Sequence, residues 1–268
     1  MEVPAKADFS ALLQPKTVTA DQIINALTIR LNDDRIIQLS GIEIPDLTPY
    51  DAGAIALQAQ EELKRLLPNR KIRLYLTKGS DKGRVNRMGY ELAQVELPPR
   101  VHTGDQSSEH IWLQGYLLLN GLARARPNER NPEMVAQMYA LEEKARQAGV
   151  GMWNAEQYPQ YKILDPLNDT IPLNDFAIVE GIVKSVATVR NTTYLNFGQN
   201  WRDDFTIAID GNLRREFSKT GQNLLSLQGQ RVRVRGWAED YNGPFIRLED
   251  LSLIELLPEG VKQTNIDR

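Results

Sequence analysis

Hydrophobic and polar residues follow two rhythms along the chain, and the switches between them outline its elements. "ALTIRL" (26–31) and "RIIQLSGIEI" (35–44) read as strands on either side of the hairpin-type turn "NDD". "TPYD" then predicts a helix start, with Thr48 as N-cap, Pro49 at the first helical position and Asp51 as a capping-box acid. The helix runs through "AGAIALQAQEELKRLL" and stops at Pro68 and Asn69. "KIRLYLT" (71–77) alternates, with Ile72, Leu74 and Leu76 on one face. Past the polar turn "KGSDKGRVNRMG", "YELAQVEL" (90–97) predicts another strand. "PPRVHTGDQSSE" is a loop, and "HIWLQGYLLLNGLA" is a strongly apolar helix. Asn131 and Pro132 then cap an amphipathic helix, "PEMVAQMYALEEKARQA", that ends at Gly149 and Gly151.

Periodicity fades over residues 157–175, which carry three prolines and read as a linker. The remainder of the chain is rich in strands. "AIVEGIVKSVATV" is a long strand whose internal glycine marks a bend, and "TYLNF" and "DFTIAI" come after it. A helical stretch, "NLRREFSKTGQNLLSLQG", leads to "RVRVRGWA" and "PFIRLEDLSLIELL". Three strands, a helix and two strands is the order of an OB barrel, although other small mixed barrels read similarly. The predicted organisation is an extension (1–16), a first domain (17–156), the linker, a second domain (176–258) and a tail (259–268). The fold class expected is mainly β with helices (α+β).

Composition narrows the chemistry. A chain of 268 residues can bury a proper core in one large domain or two small ones. The net charge of −3 leaves no global basic footprint for nucleic acid. With no cysteine, there is no disulfide, thiolate zinc site or cysteine nucleophile. His102 and His110, eight residues apart in a polar loop, exclude a histidine-rich metal site and read as solvated. The apolar run "YLLLNGLA" is too short to span a bilayer. Met1 leads into "EVPAKADF" with no signal-peptide pattern. The expected location is the cytoplasm, or the periplasm or envelope if the chain is a mature exported protein.

The first domain resembles the staphylococcal nuclease family. The resemblance lies in an ordered series: the strand hairpin, "LSGIEIPD", "NRMGYELAQV", "WLQGYLLLNGLARA" and "ALEEKARQAGVGMW" with its terminal Trp153. It implies a five-stranded OB-type barrel with three helices. The stretches "VEGIVKSVATVRNTTYLNFGQNWRDDFTIAI" and "QRVRVRGWAEDYNGPFIRLED" look like the C-terminal domain of a bacterial thermonuclease-like subgroup that often carries an export signal, which implies a second small OB-like barrel.

Active relatives hydrolyse phosphodiesters with a calcium ion on two aspartates, a water-activating glutamate and two phosphate-holding arginines. Calcium takes hard oxygen ligands, and the arginines offset charge building on the phosphoryl oxygens. Carried over position by position, the resemblance puts Leu27 where one calcium aspartate stands and Glu43 where the other does. Asp46 takes the place of the glutamate, and Gln38 and Tyr90 take those of the arginines. Both cations and one ligand are thus replaced, unless Arg35, Arg84 or Arg87 reaches the cleft.

The resemblance therefore implies no catalytic residue, no metal and no cofactor, with calcium entering only if the nuclease reading holds. The favoured expectation is a degenerate nuclease-fold protein serving as a binding or scaffolding subunit. Its partners would be proteins of a larger bacterial assembly, envelope or membrane-associated. The alternatives are a calcium-dependent nuclease and a non-cleaving module for single-stranded nucleic acid. For such a module Arg231, Arg233 and Arg235 would form a phosphate-tracking stripe, with Tyr194, Phe197, Trp201 and Trp237 as stacking platforms. The bland counterpart is a solvated strand face whose arginines pair with Glu239 and Asp240, in a domain whose charges balance to zero. The basic turn from Lys78 to Arg87 reads as a solvated hairpin tip beside the old site, with residual phosphate attraction as its functional alternative.

Overall fold

A computed structural model describes residues 1–4, 7–48, 51–79, 81–99, 110–128, 130–200 and 203–258. The chain divides into two units, Met1–Tyr161 and Lys162–Arg268, a division that falls inside the segment read as a linker. Among the described residues it is mainly β, with four α-helices.

The first unit is a closed barrel. β1 (Lys16–Asn25), β2 (Thr28–Leu31) and β3 (Ile36–Leu39) form an antiparallel meander. β5 (Lys71–Tyr75) pairs with β1, β6 (Glu91–Leu97) pairs with β5, and β6 also runs parallel to β3, which closes the ring. β7 (Ile111–Trp112) extends β6. A separate two-stranded sheet joins β4 (Ile42–Glu43) to β8 (Arg124–Ala125). β1 has no counterpart in the hydrophobic pattern, because Ala20 is its only fully buried residue and its alternation is faint.

α1 (Ala54–Leu66) buries Ile55, Ala56, Ala59, Leu63 and Leu66, one face at helical spacing. Each side chain of leucine size so buried contributes about 1.5–3 kcal/mol. Its start corrects the expected cap. The N-cap residue is Gly53, while Thr48 and Asp51 bond each other in a turn of their own; Pro49 lies outside the described residues. α2 (Leu113–Leu119) is buried on every side, as its composition requires. α3 (Val135–Ala148) ends on Gly149 in the left-handed conformation, φ 61°. Asn131 does not cap it; its side-chain amide donates instead to the Gly83 carbonyl at 2.8 Å.

The second unit is a seven-stranded sheet. The long predicted strand is broken into β9 (Asp175–Ile182) and β10 (Ser185–Val189). The break falls after Ile182 and not at Gly181, which stays in register with Val232 of β13; there a Cβ would stand 2.6 Å from Pro166 and 3.0 Å from Phe197, so the glycine makes room for side chains instead of marking a bend. β11 (Thr192–Asn196) and β12 (Thr206–Ile209) continue the meander, and α4 (Gly211–Lys219) comes next, capped by the Asp210 carboxylate. β13 (Arg231–Asp240), β14 (Pro244–Arg247) and β15 (Ile254–Leu256) complete the unit. The path β10-β11-β12-β14-β13 meets β9 at its far side, and β9 runs on into β10. The stretch read as a linker carries structure, since Leu164 bridges to Val179 and Ile171 is buried.

Candidate functional site

The β4–β8 pair sets the geometry of the candidate site. Its register puts Glu43 opposite Arg124, and the two meet at 2.8 Å between Glu43 Oε2 and Arg124 Nε. Arg126 Nη1 lies 3.9 Å from the other carboxylate oxygen. The side chains of Glu43 and Arg124 are 18% and 10% exposed, so the pair is shielded and its geometry matters. β8 is held by α3, whose Glu142 carboxylate accepts from the Ala125 amide.

Three residues past Glu43 the chain turns through Asp46 at φ 55°, and the Asp46 carboxylate swings over the N-terminus of α1. It accepts from the Ala56 amide at 3.0 Å and, more weakly, from Ile55 at 3.4 Å. A helix N-terminus presents orphan N–H groups and partial positive charge, which an aspartate answers. The helix residue that makes room is Gly53, where a Cβ would stand 2.3 Å from Asp46 Oδ2. Burial, reinforced by the Asp46 charge, pushes the neighbouring Tyr161 phenol up from its ordinary range.

Asp46→Ala is expected to destabilise the first unit by about 0.5–2 kcal/mol through the lost cap. Alanine at a left-handed position adds strain that Asp46→Asn avoids. Denaturant unfolding of both variants checks this. Equal stabilities of Asp46→Ala and the parent would mean that the carboxylate is not a cap.

The other carried-over positions are also engaged or buried. Leu27 packs against the hydrophobic core. Gln38 accepts from Asn86 Nδ2 at 2.6 Å, and Asn86 Oδ1 accepts from the amide of Tyr90 at 3.0 Å. These two contacts tie β3 to the turn that carries Tyr90. Arg35 is held by Asp33 and Glu91, and Arg84 by Asp81 and the Thr77 carbonyl. Lys78 in the basic turn donates to the Ser10 carbonyl at 2.8 Å. Among the described residues no three His, Asp or Glu side chains cluster as a metal site.

The His110 side chain is a third exposed, and only its Nδ1 is withdrawn from solvent, 2.8 Å from the buried Glu96 carboxylate that accepts from Tyr75. His102 lies outside the described residues.

In the second unit the arginine stripe needs correction. Both faces of β13 are buried from Val232 to Gly236, and its edges pair with β9, β14 and β15. Arg231 and Arg233 bond Glu180 at 3.3 and 2.9 Å, and Arg235, fully buried, bonds Glu255 at 2.9 Å. Glu239 and Asp240 are not the partners in these pairs. Phe197 is buried against Phe205, and Trp237 stays exposed at 48%. Trp201 lies outside the described residues.

Tyr194 lines a groove of about 540 Å³ together with Tyr241 and Phe245, two residues that the sequence reading missed. Arg124, Arg126 and Tyr161 were missed as well. For the arginines the only available signal was the "RAR" that directly succeeds the apolar run; of its two charges the buried one, Arg124, must be answered, while Arg126 is exposed.

No curated protein matches the chain. A family model, staphylococcal nuclease homologue, matches residues 36–155, which span β3 to the turn after α3. With the closed five-stranded barrel around that segment, the match identifies residues 36–155 as a staphylococcal nuclease homologue domain.

Proposed function

We propose that this nuclease-fold domain no longer performs phosphodiester chemistry and that the chain works as a binding or scaffolding subunit of a larger bacterial protein assembly. One observation carries the reading: both carboxylates at the old catalytic positions are answered by the protein's own donors, Glu43 by Arg124 and Asp46 by the first amides of α1. Calcium needs six to eight oxygen ligands. Leu27 supplies none, Glu43 would have to leave a shielded cation, and Asp46 would have to uncap a helix. The donor set does not fit the ion. At the positions of the phosphate-holding arginines stand two neutral residues, Gln38, which accepts from Asn86, and Tyr90, whose backbone amide donates to Asn86. Loss of a single preorganised donor costs about 10²–10³ in rate, and several are gone here.

What remains is a rigid frame with no chemistry, a form suited to holding partners. No helix among the described residues is long and apolar enough to cross a membrane.

The test mixes the full chain with labelled single-stranded DNA and RNA, with and without millimolar calcium, and tracks cleavage and retention together. The expected result is neither calcium-dependent cutting nor retention, with a fixed stoichiometric set of proteins co-purifying from the native source. Calcium-dependent cutting would restore the nuclease reading. Retention that falls steeply with salt, without cutting, would favour a nucleic-acid module instead.

A further inference from the structure

The second unit carries a groove that the nuclease-like domain does not explain. Its floor is a register row across four strands: Ser185 faces Asn196, Asn196 faces Thr206, and Thr206 faces Phe245. The polar members are already bonded to one another. Asn196 Nδ2 donates to Ser185 Oγ at 3.3 Å, and Thr206 Oγ1 donates to Asn196 Oδ1 at 3.1 Å. These bonds fix the orientation of the amide and leave it one N–H and one lone pair for a further partner. Tyr194, paired across strands with Ala187, extends the floor on the same face as Asn196. One end is walled by the β13–β14 turn, where Tyr241 meets Phe245 edge-on with ring centroids 5.4 Å apart. The turn is tight, with Asn242 at φ 54°. Gln199 contributes a further amide, and the volume of about 540 Å³ is that of a small-ligand site.

Among the described residues, none that line this groove carries a charge. The Arg247 guanidinium stands 5.6 Å from the Phe245 ring centroid but is outside the lining.

From this composition we infer that the groove binds a neutral saccharide. A sugar ring offers apolar C–H faces to aromatic rings and hydroxyls to amides and hydroxyls, and it asks for no counter-charge. A nucleic-acid strand would need cations along its phosphates, and the described lining residues supply none. A lipid tail would leave the row's remaining hydrogen-bonding capacity, beyond the bonds its members make with one another, without water or a partner. The inference concerns the second unit alone and stands apart from the reading of the nuclease-like domain.

The full chain titrated calorimetrically with a panel of neutral di- to tetrasaccharides of glucose and N-acetylglucosamine tests it, with an oligothymidylate as the charged comparison. Saturable binding of at least one neutral saccharide is expected, unchanged by added salt. Tyr241→Ala should weaken it at least about tenfold. Tyr241 is 61% exposed, so the variant should melt like the parent, and Tyr194→Ala gives an independent second loss. Absence of binding across the panel would overturn the inference. So would binding that survives both substitutions, or an oligothymidylate taking the groove in preference to every saccharide. Cleavage is not read in this experiment, so its failure leaves the nuclease question untouched, and the reverse also holds.

Discussion

Arg235→Ala is expected to destabilise the second unit by about 3–5 kcal/mol, while Arg231→Ala costs about 0–1 kcal/mol. The two arginines sit four residues apart on one strand, and a stripe model would treat them alike. Their surroundings differ. Arg235 is fully buried with its Nη2 on Glu255 at 2.9 Å, whereas the Arg231 side chain is 34% exposed and meets Glu180 at 3.3 Å. Truncating Arg235 leaves Glu255, itself 19% exposed, short of its cation and opens a cavity in a close-packed interior. Replacing both partners by apolar residues, Arg235→Met with Glu255→Leu, should recover much of the loss, because the charge that would be stranded is gone too. Urea unfolding of the four proteins measures this. Equal costs for Arg231→Ala and Arg235→Ala would contradict the burial of the strand. An Arg235→Ala protein that kept its stability but lost nucleic-acid retention would revive the phosphate-tracking stripe.

The misreading of β13 has a definite origin. Alternation of arginine and valine implies one wet face only when the strand has a wet face, and β13 has three strand neighbours and is covered on both sides over its middle. Where alternation did coincide with a half-buried strand, as in β5, the element was legible to within two residues; β6 was too, although its residues from Ala93 to Leu97 are buried on both faces. The apolar run of α2 was equally plain, as a stretch with no polar face. β1 was not, since a strand with one fully buried position leaves little rhythm to read.

The candidate site was legible only as a set of substitutions. Leu27, Gln38 and Tyr90 stand out only because the resemblance sets them where a ligand and two cations are expected, and the proposed loss of chemistry starts from them. What became of Glu43 and Asp46 was hidden, because the Glu43–Arg124 pair joins residues 81 apart through a sheet of two residues per strand. The helix cap was hidden for a related reason. Thr48 stands where a local capping box belongs, but the carboxylate that reaches α1 belongs to Asp46, folded back over the helix from ten residues before Ala56. Local grammar does not foresee a cap supplied across a loop.

Gly121→Ala is expected to cost the first unit about 2–5 kcal/mol, a large share of a typical domain's stability. Gly121 lies just past α2 at φ 62°, and a Cβ there would lie 2.1 Å from the Val150 carbonyl oxygen. The obstacle is backbone, which cannot rotate aside as a side chain can. From the other side Gly151, at φ 56°, would drive a Cβ to 2.3 Å from the Gly121 carbonyl oxygen. That same oxygen accepts from the Met152 amide at 2.8 Å, so separating the two turns also breaks a hydrogen bond. Gly89→Ala is the matched control, because its φ is 79° but nothing lies within 4 Å of the added carbon. It should incur the left-handed strain alone, about 1–2 kcal/mol. The difference between the variants in denaturant unfolding isolates the cost of prising the turns apart. The consequence reaches the candidate site, since β8 begins three residues after Gly121 and carries Arg124 to Glu43. If Gly121→Ala proves no worse than Gly89→Ala, the two turns do not meet this closely, and the tight placement of Arg124 against Glu43 loses its support.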